Sequence, residues 1–439
     1  MNKIFASNIG CMKMLAGAVF FLAGAAMSTT AMSTQLYGGG STLPAGGYVG
    51  WNWVTSGTRL VPDSSQSPAV TIDPFSMFGA WATSTGNSVQ YCQTDSGRGK
   101  RVIDGDSTTL LSQTPGGLCG VYGNPLLPRG FQIPATAIGQ PDFAVSDAPI
   151  TASEYATFVS NHGASKGEPI QFPALLDSIA VVYRNSDAAV SSKINLTTAQ
   201  VCRIFAGTLT DWHDIDSSFS PKQIHVVYRS DSSGATFNLM NHLNAVCSAA
   251  IPGGTHFVVD QVFLTGTAGL PIASSVSSIG ADGDPVVIAA VNATDGAIGY
   301  AGTADYLNQS FFGARYATVD GRDPVTDLPA TFNLPSGSVV FDKAVNSAGA
   351  LVTVVPNTTA NCLAVVNPGA TANPSSGYSI IGVSYLLANQ KGNSTNLTAV
   401  RSLLGFMYTH AGVTRVSTGL AFIGNAGISP LKVNACTAA

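Results

Sequence analysis

Residues 229–236 read Arg229-Ser230-Asp231-Ser232-Ser233-Gly234-Ala235-Thr236, and the reading of this stretch decides the fold. An apolar run at 224–228 leads into it and a helix-like segment at 237–246 leads out. Strand, small-residue turn and helix start follow one another. Backbone N–H groups at a helix N-terminus favour an anion. An arginine on the same turn adds a planar fork of donors suited to a tetrahedral oxyanion. The stretch is therefore a candidate anion cradle, although serine-glycine turns also serve as plain helix caps.

Working outward, strands alternate with helices along the chain. A brief strand at 89–92 runs into the turn Thr94-Asp95-Ser96-Gly97-Arg98-Gly99-Lys100. This turn is no nucleotide-binding P-loop, because Thr94 stands where glycine is needed and Arg101 where serine or threonine is needed. The strand at 142–146 ends on Asp147, and Thr151 opens a helix after it. The continuous apolar run 179–183 predicts a strand buried in a parallel sheet. Residues 196–206 predict a helix capped by Thr197, 286–291 a helix, 296–300 a short strand, 378–388 another strand and 397–409 an amphipathic helix. At the start, 35–45 reads as a short strand, a glycine turn at Gly38-Gly39-Gly40 and a reversal at Ser41-Thr42. The pattern argues for an α/β architecture with ligands at the C-terminal ends of parallel strands. The turns at Ser41-Thr42, Ser96-Gly97, Ser146-Asp147 and 229–236 then converge on one cleft.

Composition sets limits on function. Only 10% of the 439 residues are charged, against about 25% in an ordinary globular chain. The formal net charge of −4 shows no basic excess, so nucleic-acid binding has no electrostatic support. Lys3 and Lys13 precede an apolar run at 14–27 and small residues at 28–33. That is a signal-peptide pattern over 1–33, with cleavage before Thr34. The apolar run is too short for a comfortable membrane span, and no later stretch reaches about 18 apolar residues. The chain reads as exported. Six cysteines follow the signal: Cys92, Cys119, Cys202, Cys247, Cys362 and Cys436. An even set in an exported chain predicts disulfides, and sequential pairing is the simplest of many connectivities. The histidines lack metal-site spacing, so neither metal nor cofactor is expected.

Taken together, these stretches resemble one family. Gly38-Gly39-Gly40-Ser41-Thr42-Leu43-Pro44 is similar to the N-terminal signature of DING proteins, a branch of the bacterial periplasmic phosphate-binding proteins. Ser96-Gly97-Arg98-Gly99-Lys100 resembles their serine-glycine loop and Ser146-Asp147-Ala148-Pro149 their strand-end aspartate. Ile204-Phe205-Ala206-Gly207 with Asp211-Trp212, the arginine turn at 229–234 and Gly296-Ala297-Ile298-Gly299-Tyr300 follow in family order. The resemblance implies a two-lobed, hinged type II periplasmic binding protein fold with the ligand cleft between the lobes. It implies lobe 1 at 34–180 and 378–439, and lobe 2 at 181–377. It implies a monomer that captures inorganic phosphate for an inner-membrane ABC permease, in the periplasm or beyond it. A DING-type phosphatase or phosphate-scavenging surface protein is the alternative.

Carried over position by position, the resemblance implies phosphate contacts from Thr42, the Leu43 amide, Ser96, Asp147, Arg229, Ser233 and the Gly234 amide. Ser41, Gly97, Asp231, Ala235 and Thr236 stand beside them. The family has a threonine hydroxyl directly after the glycine, and this chain has Ala235 there, with Thr236 one position on. Asp147 is the odd member, because a carboxylate repels an anion. It makes sense as the acceptor of a proton on phosphate, and sulfate at neutral pH carries no such proton. Read without the resemblance, Asp147 caps the helix near Thr151. Asp231 is expected to orient Arg229, and Trp212 and Tyr300 to be core.

Overall fold

The computed structural model describes residues 33–50, 73–104, 141–190, 193–251, 256–275, 277–308, 313–354, 362–409, 419–424 and 428–438. The signal segment before Ser33, Cys119, residues 105–139 and most of 46–75 lie outside the described residues. The elements that position the site are β1 (Gln35–Gly40), β2 (Ser88–Gln93), α1 (Ser96–Asp104), β3 (Ala144–Ser146), α2 (Ala152–Lys166) and β4 (Pro169–Tyr183). They continue with α3 (Thr198–Ala206), β5 (His225–Arg229), α4 (Gly234–Val246), β6 (Ile279–Ala281), α5 (Asp284–Ala293) and β7 (Ala297–Gly302). The last are β8 (Ile381–Asn389), α6 (Leu397–Phe406) and β9 (Leu420–Gly424).

The main sheet path runs β2-β1-β3-β8-β4-β7-β5-β6. Strand β1 pairs parallel with β2 and β3, and β5 pairs parallel with β6 and β7. The central strand corrects the expectation of a parallel sheet: β4 is antiparallel to both β8 and β7. An apolar run reports burial on both faces, and a central strand has that burial whichever way its neighbours run. The glycines at 38–40 are also not a turn. They lie inside β1, where a Cβ on Gly40 (φ +131°) would fall 1.9 Å from the Val145 carbonyl oxygen. Glycine is needed there for close backbone approach as well as for positive φ.

Strand β4 links two groups of buried side chains. Leu175 and Leu176 pack with Leu36, Phe78, Trp81, Phe143, Phe158 and Leu403 in the clusters on one side. Ile179 to Val182 pack with Ile204, Phe205, Trp212, Leu239, Ile288 and Tyr300 in the clusters on the other. The change falls at Asp177-Ser178, and the chain repeats it at the start of β8, between Ile380 and Ile381. Ser178 fixes the crossing with a hydroxyl that lies 2.8 Å from Thr303 Oγ1 and 2.9 Å from the Pro324 carbonyl. Within the segment 318–376, grouped above with the second lobe, several side chains pack in the cluster that holds Leu176. Leu334, Ala344, Leu363 and Val365 join Phe158 and Leu176. The Thr- and Val-rich composition there gives no period that says which core it joins. Disulfides join Cys202 to Cys247 and Cys362 to Cys436, as sequential pairing expects, and Cys92 is also disulfide-bonded.

Candidate functional site

Four turns meet where the strands end. Ser41 follows β1 and donates its N–H to the Val145 carbonyl (3.0 Å). Thr94, after β2, donates to the Gly40 carbonyl (2.8 Å). From the other core group, the turn after β5 approaches them, and the Gly97 N–H reaches the Ser232 carbonyl at 3.1 Å. Asn238, one helical turn beyond Gly234, donates to the Asp147 carbonyl (2.8 Å) and the Gly234 carbonyl (3.0 Å). Thr42, Leu43, Ser96, Asp147, Arg229, Ser233 and Gly234 are thereby brought together, and all are buried. Leu43 inserts into the second core although it comes from the first chain segment.

Arg229 is held by two carboxylates. Asp231 takes its Nε (2.7 Å) and one terminal nitrogen, and Asp284 takes the other terminal nitrogen. These bonds use three of the five guanidinium donors and leave an edge for an anion. Burial works against the charge, but Asp231 and Asp284 outweigh it and push the Arg229 pKa far up. Asp231 thus has the orienting role expected of it. Asp284 is new, and it also accepts the Gly302 N–H (2.9 Å). Tyr300, expected as core, has a further task. Its hydroxyl accepts the Arg229 N–H (3.1 Å) and shares a proton with Thr236 Oγ1 (2.7 Å).

Asp147 does not cap the helix after it. Thr151 does so, in a reciprocal capping box with Glu154. The Asp147 carboxyl instead accepts at Oδ2 from the Ser41 hydroxyl and from Ser96 Oγ (3.4 Å), and the Asp147 N–H donates to Ser96 Oγ (3.0 Å). Its Oδ1 is buried with no hydrogen-bond partner. Burial raises the Asp147 pKa well above the carboxylate range, and the negative charge of Asp284 adds to it. Ser384, Arg229 and Ser96 pull the other way.

Helix α4 supplies the amides. Ser233 is its N-cap, accepting the Thr236 N–H at 3.3 Å, which leaves the serine proton available to a ligand. Ala235 is buried in the second core. The Thr236 hydroxyl lies 2.7 Å from the Tyr300 hydroxyl. Beside the arginine, Asp95, Asp231 and Asp282 bring carboxylate oxygens within 4.8 Å of one another. Asp231 already serves Arg229 and the Gly283 N–H (3.2 Å), so part of that group is committed.

Asp284, Asn238, Tyr300 and Ser384 complete the site without having been singled out for it. Asn238 had a signal, since it lies four residues after Gly234 on the same helical face. Asp284 reads in sequence as an ordinary acidic helix start.

Residues 74–401 match the model of the PBP superfamily domain, and the chain belongs to that superfamily. Among curated proteins it is 30% identical over 308 residues to alkaline phosphatase L of Pseudomonas aeruginosa, covering 69% of this chain and 74% of that one. It is 31% identical over 308 residues to a phosphate-binding protein from an unknown prokaryotic organism, covering 66% and 77%. The chain therefore belongs, within the superfamily, to the phosphate-binding and DING protein family. Among solved structures it superposes with a TM-score of 0.58, at 22% identity, on a high-affinity periplasmic phosphate-binding protein (PfluDING) bound with phosphate. That match covers 91% of this chain and 92% of the other. A phosphate-binding protein from Stenotrophomonas maltophilia gives 0.55 at 22%, covering 88% and 86%. These likenesses establish the two-lobed type II periplasmic binding protein fold.

Proposed function

We propose that this chain captures inorganic phosphate in a cleft between two lobes and delivers it to an ABC permease, from the periplasmic side of the membrane. The observation that carries the reading is the buried meeting of Arg229 and Asp147, with hydroxyls and amides from four separate turns around them. A buried dianion needs every oxygen met by a donor. Thr42 and Ser233 offer hydroxyls, Ser96 offers its own by turning from the long 3.4 Å contact with Asp147, Leu43 and Gly234 offer amides, and Arg229 offers its remaining edge. Asp147 Oδ1 accepts the proton of HPO4²⁻ or H2PO4⁻. Ser41 acts one layer back, since its hydroxyl is spent on Asp147. Titration of inorganic phosphate into the purified chain tests the reading. Binding that vanishes in Arg229→Ala supports it, and no binding by the unaltered chain overturns it.

One observation favours a second reading: the relative from Pseudomonas aeruginosa bears the name alkaline phosphatase L. Hydrolysis would require an activated nucleophile or a metal pair at the phosphorus. Turnover of an aryl phosphate that disappears in Arg229→Ala would favour that reading. Turnover that survives the substitution would not belong to this site.

A further inference from the structure

A second carboxyl lies on the cleft side of the sheet. Asp177 sits on β4 opposite Gly382 of β8, and opposite residues of an antiparallel pair share one face. A Cβ on Gly382 would meet the Asn238 amide nitrogen at 2.4 Å. Asn238 in turn holds the Asp147 carbonyl at 2.8 Å. Asp177 therefore faces the same space as Asp147. It is 1% exposed, and neither carboxyl oxygen has a hydrogen-bond partner.

The charges around it are of one sign. The carboxyl groups of Asp147 and Asp284 act on Asp177, and each works against a further negative charge there. The hydroxyl of Tyr48, on the short helix Ala45–Val49, is the neighbouring titratable group, and it bonds Ser384 Oγ at 3.2 Å. The strands opposite contribute Gly382 and Leu420. Arg229, the cation of the site, is paired with Asp231 and Asp284. Asp305, also buried, is pushed up by burial and by Asp284. An ionised Asp177 would add an unpaired buried charge beside an anion, which a dry interior does not tolerate.

We propose that Asp177 is the proton-carrying group of this cleft: ionised when the lobes part and water reaches it, neutral when they close, so that capture of the anion takes up a proton at this residue. The inference rests on the phosphate reading above and adds to it a residue and a proton that the reading does not require. Burial, first, and then the charges of Asp147 and Asp284 raise the Asp177 pKa far above the ordinary carboxylate range, in keeping with the geometry.

Calorimetric titration of inorganic phosphate at several pH values, in buffers of different ionisation enthalpy, counts the protons bound with the ligand. The protonation of phosphate itself and of Asp147 is common to the unaltered chain and to Asp177→Asn, so the difference between them isolates Asp177. The unaltered chain should take up close to one proton more near neutral pH. Its affinity should then fall about tenfold more steeply per pH unit. Equal proton counts would overturn the proposal and leave the phosphate reading standing. No binding by the unaltered chain would overturn both. Infrared spectra supply a measurement that does not depend on binding by the variant. The carbonyl band of neutral carboxylic acids should grow when phosphate is added to the unaltered chain, and a band that phosphate leaves unchanged contradicts the proposal. A variant that fails to fold also contradicts it, since the amide copies the shape and neutrality of the proposed acid.

Discussion

Gly234 lies against Asp147: a Cβ at position 234 would stand 2.6 Å from the aspartate's own Cβ and 2.5 Å from the Ser96 hydroxyl. The contact joins a turn from one core group to turns from the other. No side chain fits between them while the cleft is shut. Gly234→Ala should therefore weaken phosphate binding by about one to two orders of magnitude, from the ~1–3 kcal/mol that overpacking costs. Its effect on unfolding should be smaller, since the strain is relieved when the turns separate. Calorimetric titration beside urea denaturation separates the two, and unaltered affinity would show that the turns need not meet.

Arg229 stands between Asp231 and Asp284, both buried or nearly so. Arg229→Ala leaves two carboxylates without their cation, a change that costs about 3–5 kcal/mol when a buried pair is broken. Phosphate binding should disappear, and the urea midpoint should fall. Arg229→Ala combined with Asp284→Asn should recover part of the stability but none of the binding. A variant as stable as the parent would mean that the carboxylates are protonated in the native state.

Tyr300→Phe removes a hydroxyl that accepts the Arg229 N–H and bonds Thr236. Leaving a buried donor unmet costs about 1–3 kcal/mol. Stability should drop by that amount, and phosphate affinity should drop as well, because the backbone that aims Arg229 loses its brace. Loss of stability with no change in affinity would confine Tyr300 to the core.

Asp177 gives stability a pH dependence whose sign can be worked out. With the lobes closed its pKa is raised and its unfolded value is ordinary, about 4, so in saturating phosphate the unfolded chain releases its proton first as pH rises. The stability it allows is full below that value and is lost as pH climbs through the window up to the raised native value. The buried His242 has its pKa lowered, chiefly by burial, and acts in the opposite sense at mildly acid pH. Comparing the unaltered chain with Asp177→Asn cancels that contribution. The advantage of the variant in urea denaturation should grow by up to about 1.4 kcal/mol per pH unit in the window. A constant difference would contradict the assignment.

The parts of the site written in contiguous residues were legible before the structure. The Arg229 turn, the Ser96 turn and Asp147 each follow a short apolar run and precede a helix, and local chemistry suffices to read them. Asp284 was not legible, because it meets Arg229 across 55 positions and looks alone like an acidic helix start. The full length of β4 was also hidden. Pro173 and the polar pair Asp177-Ser178 interrupt its apolar run, and that pair marks where one core gives way to the other. Gly38, Gly39 and Gly40 read as a turn because glycine usually serves turns, whereas here tight packing inside a sheet demands it. The packing partners of 318–376 were hidden for a different reason, since short strands with mixed composition carry no period that names a core.

The central claim is that Asp147 selects an anion that carries a proton. Equilibrium binding of phosphate and of sulfate to the purified chain, repeated on Asp147→Asn, tests it most directly. The account predicts that the unaltered chain binds phosphate and rejects sulfate, and that the asparagine variant loses much of that preference because its amide no longer repels the unprotonated anion. Equal binding of the two anions by the unaltered chain, or an unchanged preference in the variant, would contradict it.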